Sequence, residues 1–426
     1  MCRISPLVLL ALFGLPAFSI AENWPGWRGP RGDGTSMETE IPVEWNAETG
    51  KNIVRKIPIP GTGHSSPVTW DDRVFLVSCL EETNERLLLC ISRTDGKILW
   101  QKTVFKAPPE TRHQLNSFAS ATPAVDGKTV YVSFLEVDGR EIPAPNVGTP
   151  RPVTPGEMLV AAYDFDGNEL WKVKPGPFIS AHGYSSSPVI YQDLLIINGD
   201  HDGESYLVAL HRATGEIAWK IPREHKIRSY CTPIVREVAG KTQLVLSGSK
   251  QIVGLDPRSG TRIWNIEGPS EQFVASMVTD GNLFFMVAGF PTHHVMAIRP
   301  DGTGDVTATH VAWQNTDAKC FVPSPVLTGD YLFVADDRGT VNCFDKNTGN
   351  RLWQNRLGMH YSASLVTAGG LVYFTADDGE TAVVRPGPEL DVLHKNPLGE
   401  YTYASPAVSD GQILIRGEKH LFVIGQ

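Results

Sequence analysis

Adjacent cysteines, a CxxC pair and Cys/His groups at zinc spacing are all absent from this 426-residue chain. Their absence argues against structural-zinc and dithiol-redox classes. No GxSxG, HExxH, GxxxxGK[ST] or GxGxxG run occurs either, so the common nucleophile-elbow, metalloprotease and nucleotide-binding signatures are missing. Long hydrophobic runs are lacking. The longest, Leu7–Phe18, has twelve residues, too few to span a bilayer. Positive charge is short as well: 38 Lys and Arg stand against 47 Asp and Glu, for a formal −9. That balance disfavours nucleic acid or an anionic membrane surface as partner.

What the N-terminus does contain is an export pattern. Arg3 is the only charge before the apolar run, and Ser19 and Ala21 put small residues at −3 and −1. Residues 1–21 are therefore read as a signal peptide, with a periplasmic or secreted product. No cysteine follows the run, so the usual lipid-attachment site is missing, and no transmembrane segment is expected. Five cysteines remain in the mature chain: Cys79, Cys90, Cys231, Cys320 and Cys343. An odd number leaves at least one unpaired. Cys79 and Cys90 are placed to face each other across a hairpin turning at Asn84-Glu85, while most read as small buried hydrophobes.

Internal repetition decides the fold. A turn ending in Gly is followed four residues later by Trp in TDGKILW, FDGNELW, ATGEIAW, RSGTRIW and NTGNRLW. Trp100, Trp171, Trp219, Trp264 and Trp353 fill that slot, and Trp313 fills it after an altered turn, IRPDGTGD. These six read as packing between blades. A second element is a short strand opening at Ser/Thr-Pro or its equivalent, then a turn and an alternating apolar strand. It starts at Pro67, Pro123, Pro188, Pro233, Met277, Pro325, Leu365 and Pro406. Period-2 alternation around Asp-Gly turns makes hairpins, and five of the seven spacings run 40 to 48 residues, one four-stranded blade each.

The spacing predicts an all-β, eight-bladed β-propeller over 41–426, preceded by an extended Trp/Gly/Pro-rich segment, 22–40. Arg140–Glu157 holds five prolines and reads as a loop insertion rather than a strand. The last unit lacks its outer strand, and the AETGKNIVRKIPI segment near the N-terminus supplies it, so the ends close the ring and remove an exposed edge.

Eight blades carrying the TGxxxW turn and strand resemble the pyrroloquinoline-quinone (PQQ) repeat family. This family includes quinoprotein alcohol dehydrogenases and BamB-type scaffolds of outer-membrane assembly. The opening NWPGWRGPRGDGTS is similar to exported PQQ-like propellers of planctomycete type. The resemblance implies either a non-catalytic binding or assembly scaffold for a protein or glycan partner, or a PQQ-dependent oxidoreductase using calcium. The vicinal cysteines, calcium ligands and catalytic Asp of the dehydrogenases find no matching motif here. No catalytic residue carries over, and no cofactor is firmly implied.

Residues shortly before each Ser/Thr-Pro element converge, in such a ring, on one mouth of the central channel. They are His64, His113, Asn116, His182, Tyr184, Arg228, Tyr230, Lys319, His360, Tyr361 and Tyr403. Aromatic and imidazole groups gathered at a concave mouth suit ligand or partner binding, and a polysaccharide-active enzyme is the third reading. The four imidazoles His64, His113, His182 and His360 would make binding pH-sensitive between about 5 and 8. Asp200 and Asp202, in GDHDGE, are the weak metal candidates; as an acidic turn they read more simply as solvated.

Overall fold

The computed structural model describes residues 21–425. The predicted signal peptide falls outside them except for Ala21. Among the described residues there is no α-helix, and eight separate antiparallel sheets form the blades of a propeller. Their innermost strands begin at Val68, Ala124, Val189, Ile234, Val278, Val326, Val366 and Ala407, each directly after its Ser/Thr-Pro or equivalent. The strand Ile53–Pro58 pairs antiparallel with His420–Ile424 and supplies the outer edge of blade 8, so the chain closes its own ring.

The Trp repeat works between blades. Trp100, Trp171, Trp219, Trp313 and Trp353 each donate their indole N–H to a backbone carbonyl of the next blade: Phe165, Arg212, Pro257, Lys346 and Gly387, at 2.8–3.2 Å. For Trp100, Trp171, Trp219 and Trp313 the indole also lies against the repeat glycine of that blade. At Gly215 (φ 76°) an added Cβ would sit 2.7 Å from the Trp171 ring, and at Gly349 (φ 72°) 2.4 Å from Trp313. Glycine is needed there for backbone conformation and for space alike. Across the strand each indole faces a small residue: Cys90, Ala162, Ala209, Gly254, Ala297 or Cys343. Trp264 differs. It is fully buried and bonds Gln243 Oε1 of its own blade at 2.7 Å, because the altered turn of blade 5 offers Pro300 to Gln243 instead.

The Ser/Thr of each Ser/Thr-Pro pair has a separate task. At six of the eight junctions the backbone N–H of this residue donates to the hydroxyl of its counterpart in the next blade, at 2.8–3.1 Å. The result is a belt of hydroxyls around the channel. At the seam between blades 8 and 1, the buried Arg416 instead reaches Ser65 Oγ and the Val77 carbonyl.

Three expectations change here. Cys79 lies opposite Arg86 and Cys90 opposite Phe75, so these thiols do not face each other; all five cysteines are buried and free. The Pro-rich insertion is not strand-free. Ile142–Pro143 pairs with Pro152–Val153, and Gly156 already belongs to a blade strand, because prolines tolerate the edges of a two-stranded ribbon. Segment 22–40 is also more than extended chain. It bonds to seven blades at their inner strands or just before them, through Thr69, Val125, Arg236, Ser276, Ser324, Thr367 and Ser409. It thereby stops the channel on the side away from the mouth.

Candidate functional site

A cavity of about 400 Å³ opens at the mouth, within the size range of small-molecule sites. Its wall follows a register rule. The residue two positions before each belt hydroxyl lines it in all eight blades: His64, Ser120, Ser185, Tyr230, Val274, Val322, Ser362 and Tyr403. An extended chain alternates sides, so this parity faces the axis and its neighbours face the blade interiors. Tyr184 and Tyr361, three before the hydroxyl, are accordingly buried between blades and leave the site, Tyr184 edge-on to Phe178 at 5.0 Å. Register, rather than aromatic character, was the signal for the wall.

His113, Asn116 and His182 also line the cavity, from longer connections. Two aromatic groups result: His64 against Tyr403 at 4.5 Å, and His182 between His113 at 5.5 Å and Tyr230 at 6.3 Å. Asn116 is a brace whose amide holds the His182 carbonyl and whose oxygen takes Ser120. The sequence reading missed Trp27, which rises from the N-terminal plug, donates to Ser276 Oγ at 3.2 Å and lines the cavity. It also missed Phe321 and Asp337.

The remaining candidates lie off the wall. Lys319 is exposed beyond it. His360 sits beside the lining Ser362, its Nδ1 2.6 Å from Asp377. Ser362 donates to Asp377 as well, at 3.0 Å. The carboxylate thus bridges serine and imidazole, and the nucleophile-to-base contact of a hydrolytic triad is not made. Arg228 is buried behind His182, paired with Asp202 at 2.8 Å, while Asp200 pairs with Arg223 at 2.9 Å. Both aspartates are sequestered in ion pairs, which corrects the solvated-turn and metal readings together: each carboxylate already has its cation. Arg228 also donates to the Asn146 carbonyl, tying the tip of the Pro-rich ribbon to the mouth.

Burial makes this wall electrically quiet. Desolvation, with Arg416 nearby, pushes His64 down to about 4; desolvation and Arg228 push His182 to about 3, and burial lowers His113. His64 and His182 are thus held neutral down to well below pH 5, and burial favours the neutral form of His113 too, which narrows the pH sensitivity expected of the four imidazoles. His360 alone moves up, through its bond to Asp377. Desolvation also raises Asp337, the one carboxylate of the lining, which includes no Lys or Arg. This donor set does not match calcium, which takes six to eight oxygens, nor a quinone bearing three carboxylates.

A family model described as "Outer membrane protein assembly factor BamB" matches residues 38–144, 141–355 and 293–386. The chain belongs to this PQQ-repeat propeller family. Among relatives bearing that same description, the protein of Burkholderia pseudomallei is 31% identical over 22% of this chain and 24% of its own length. The Nitrosomonas eutropha protein is 23% identical over 42% and 45%. The matched region therefore spans less than half of either relative. The crystal structure of BamB from Moraxella catarrhalis superposes with a TM-score of 0.61 at 13% identity, covering 88% of this chain and 97% of that one. At that identity the likeness speaks for the fold. Among the described residues no helix is long and apolar enough to cross a membrane.

Proposed function

We propose that this member of the family is an exported, non-catalytic binding scaffold. In this reading the mouth face engages a protein or glycan partner and takes an uncharged, ring- or hydroxyl-bearing group into the cavity. The observation that carries the reading is the eightfold wall. Its register positions are two tyrosines, one neutral histidine, three serines and two valines, so aromatic faces and hydroxyls converge where ionised groups are nearly absent. Such a surface offers contact area at low entropic cost, and hydrogen bonds to its largely buried groups, such as His64 and His182, are less weakened by solvent. The description shared by the relatives supports an assembly role; the absent nucleophile–base contact and the absence of lining cations weigh against the hydrolytic and quinone-dependent readings.

Calorimetric titration tests it. The probes are neutral disaccharides, unfolded peptides from outer-membrane barrels, and PQQ with calcium. The Tyr230→Ala/Tyr403→Ala double variant should fold and lose the binding seen with sugar or peptide. Binding unchanged in that variant would remove the mouth as the site. Micromolar PQQ binding with dye reduction from an alcohol would overturn the non-catalytic reading.

A further inference from the structure

On the face opposite the mouth, the carboxylate of Glu38 is buried at 1% exposure. Its Oε1 accepts the backbone N–H of Glu22 at 2.8 Å and of Asp410 at 2.7 Å, and its Oε2 accepts that of Gly411 at 2.6 Å. No Lys, Arg or His pairs with it among the described residues. The other charges at this corner are already matched: Arg31 is held by both oxygens of Glu22 at 2.7 Å, and Arg93 by Asp410 at 2.8 Å. A buried carboxylate with three amide donors and no cation is a costly arrangement.

The nitrogen that touches Glu38 belongs to the residue directly after the Ser19-x-Ala21 pattern. Among the described residues Glu22 is also the first with polar partners, through its nitrogen, its carbonyl and its carboxylate. Its carbonyl accepts Ser409 Oγ at 2.7 Å and its carboxylate accepts the Met37 N–H at 2.8 Å, while Ala21 is exposed. We infer that the mature chain begins at Glu22 and that its new α-ammonium is the counter-charge of Glu38. A signal peptidase adds water across the Ala21–Glu22 amide. The hydroxyl goes to the Ala21 carboxyl, a proton goes to the Glu22 nitrogen, and a second proton from solvent makes the ammonium. One amide hydrogen bond thereby becomes a charge-assisted one. Because Glu22 and Glu38 are the two ends of the plug, the same bond clasps the plug shut.

The test compares three full-length mature proteins: one beginning at Glu22, the same chain acetylated at its amine, and one extended by Ala21. Intact mass of exported protein should start at Glu22. The free amine should shift the unfolding equilibrium toward the folded state by about tenfold over the blocked forms, the scale of one charge-assisted bond. An α-amine ordinarily titrates near 8. An amine paired in the folded state holds its proton to higher pH, so the advantage should be full below about 8 and fade as pH rises beyond. Glu38→Gln should erase the difference between free and blocked forms. A different mature start, or equal stability of free and acetylated protein, would overturn the inference, and the latter comparison holds even if Glu38→Gln fails to fold.

Discussion

The contact between Gly254 and Trp264 allows a test in which two harmful changes partly cancel. Trp264 is fully buried, and a Cβ placed on Gly254 would lie 2.2 Å from its indole. Trp264→Ala removes the largest side chain of blade 4 and should cost about 3–5 kcal/mol. Gly254→Ala alone forces the ring off its bond to Gln243 and should cost about 1–3 kcal/mol by overpacking. In the double variant the new methyl occupies space the indole has left, so it should be no less stable than Trp264→Ala alone. The coupling then equals the whole cost of the glycine change, where independent sites would add within about 0.5 kcal/mol. An unfolding entropy of about 2.1 cal/mol/K per residue gives roughly 0.85 kcal/mol/K for a chain of about 400 residues. A loss of 4 kcal/mol then lowers Tm by roughly 5 °C, within reach of calorimetry. Additive losses would refute the idea that small residues beneath the repeat tryptophans are set by the ring above them.

Removing residues 41–57 should leave blade 8 with three strands and an open edge, giving aggregation or loss of cooperative melting. Replacing 144–151 by two glycines should move Tm little; the closure assignment fails if both deletions melt alike. His64 and His182 are held neutral in the folded state while the unfolded chain protonates them near 6.5. Their contribution to stability should be present above pH 6.5 and decline as pH falls toward about 4 and 3. Chemical denaturation between pH 7 and 4 checks this, and His64→Gln/His182→Gln should flatten the slope.

The blades, their number and the closing strand were legible because Gly, Trp and Ser/Thr-Pro recur at fixed offsets, each with a mechanical task. The mouth was legible in outline only. Tyr230 and Tyr403 reach the cavity while Tyr184 and Tyr361 do not, and one position of register separates them. Choosing residues by chemical type alone ignores that parity. Arg228, Asp200 and Asp202 were misread because their partners, Asp202, Arg223 and Arg228, meet them only through folding. Trp27 was out of reach for a different reason: it lies outside the repeat, so no offset locates it.

The N-terminal plug gives the molecule a blind end. A ligand bound at the mouth meets this plug on its axial side, where Trp27 lines the cavity, and exchanges through the rim. The ring is a cup, not a conduit. Occupancy is therefore governed by events at a single rim, where the ribbon tip rests on Arg228, and the closed base is left free to serve as a surface of its own.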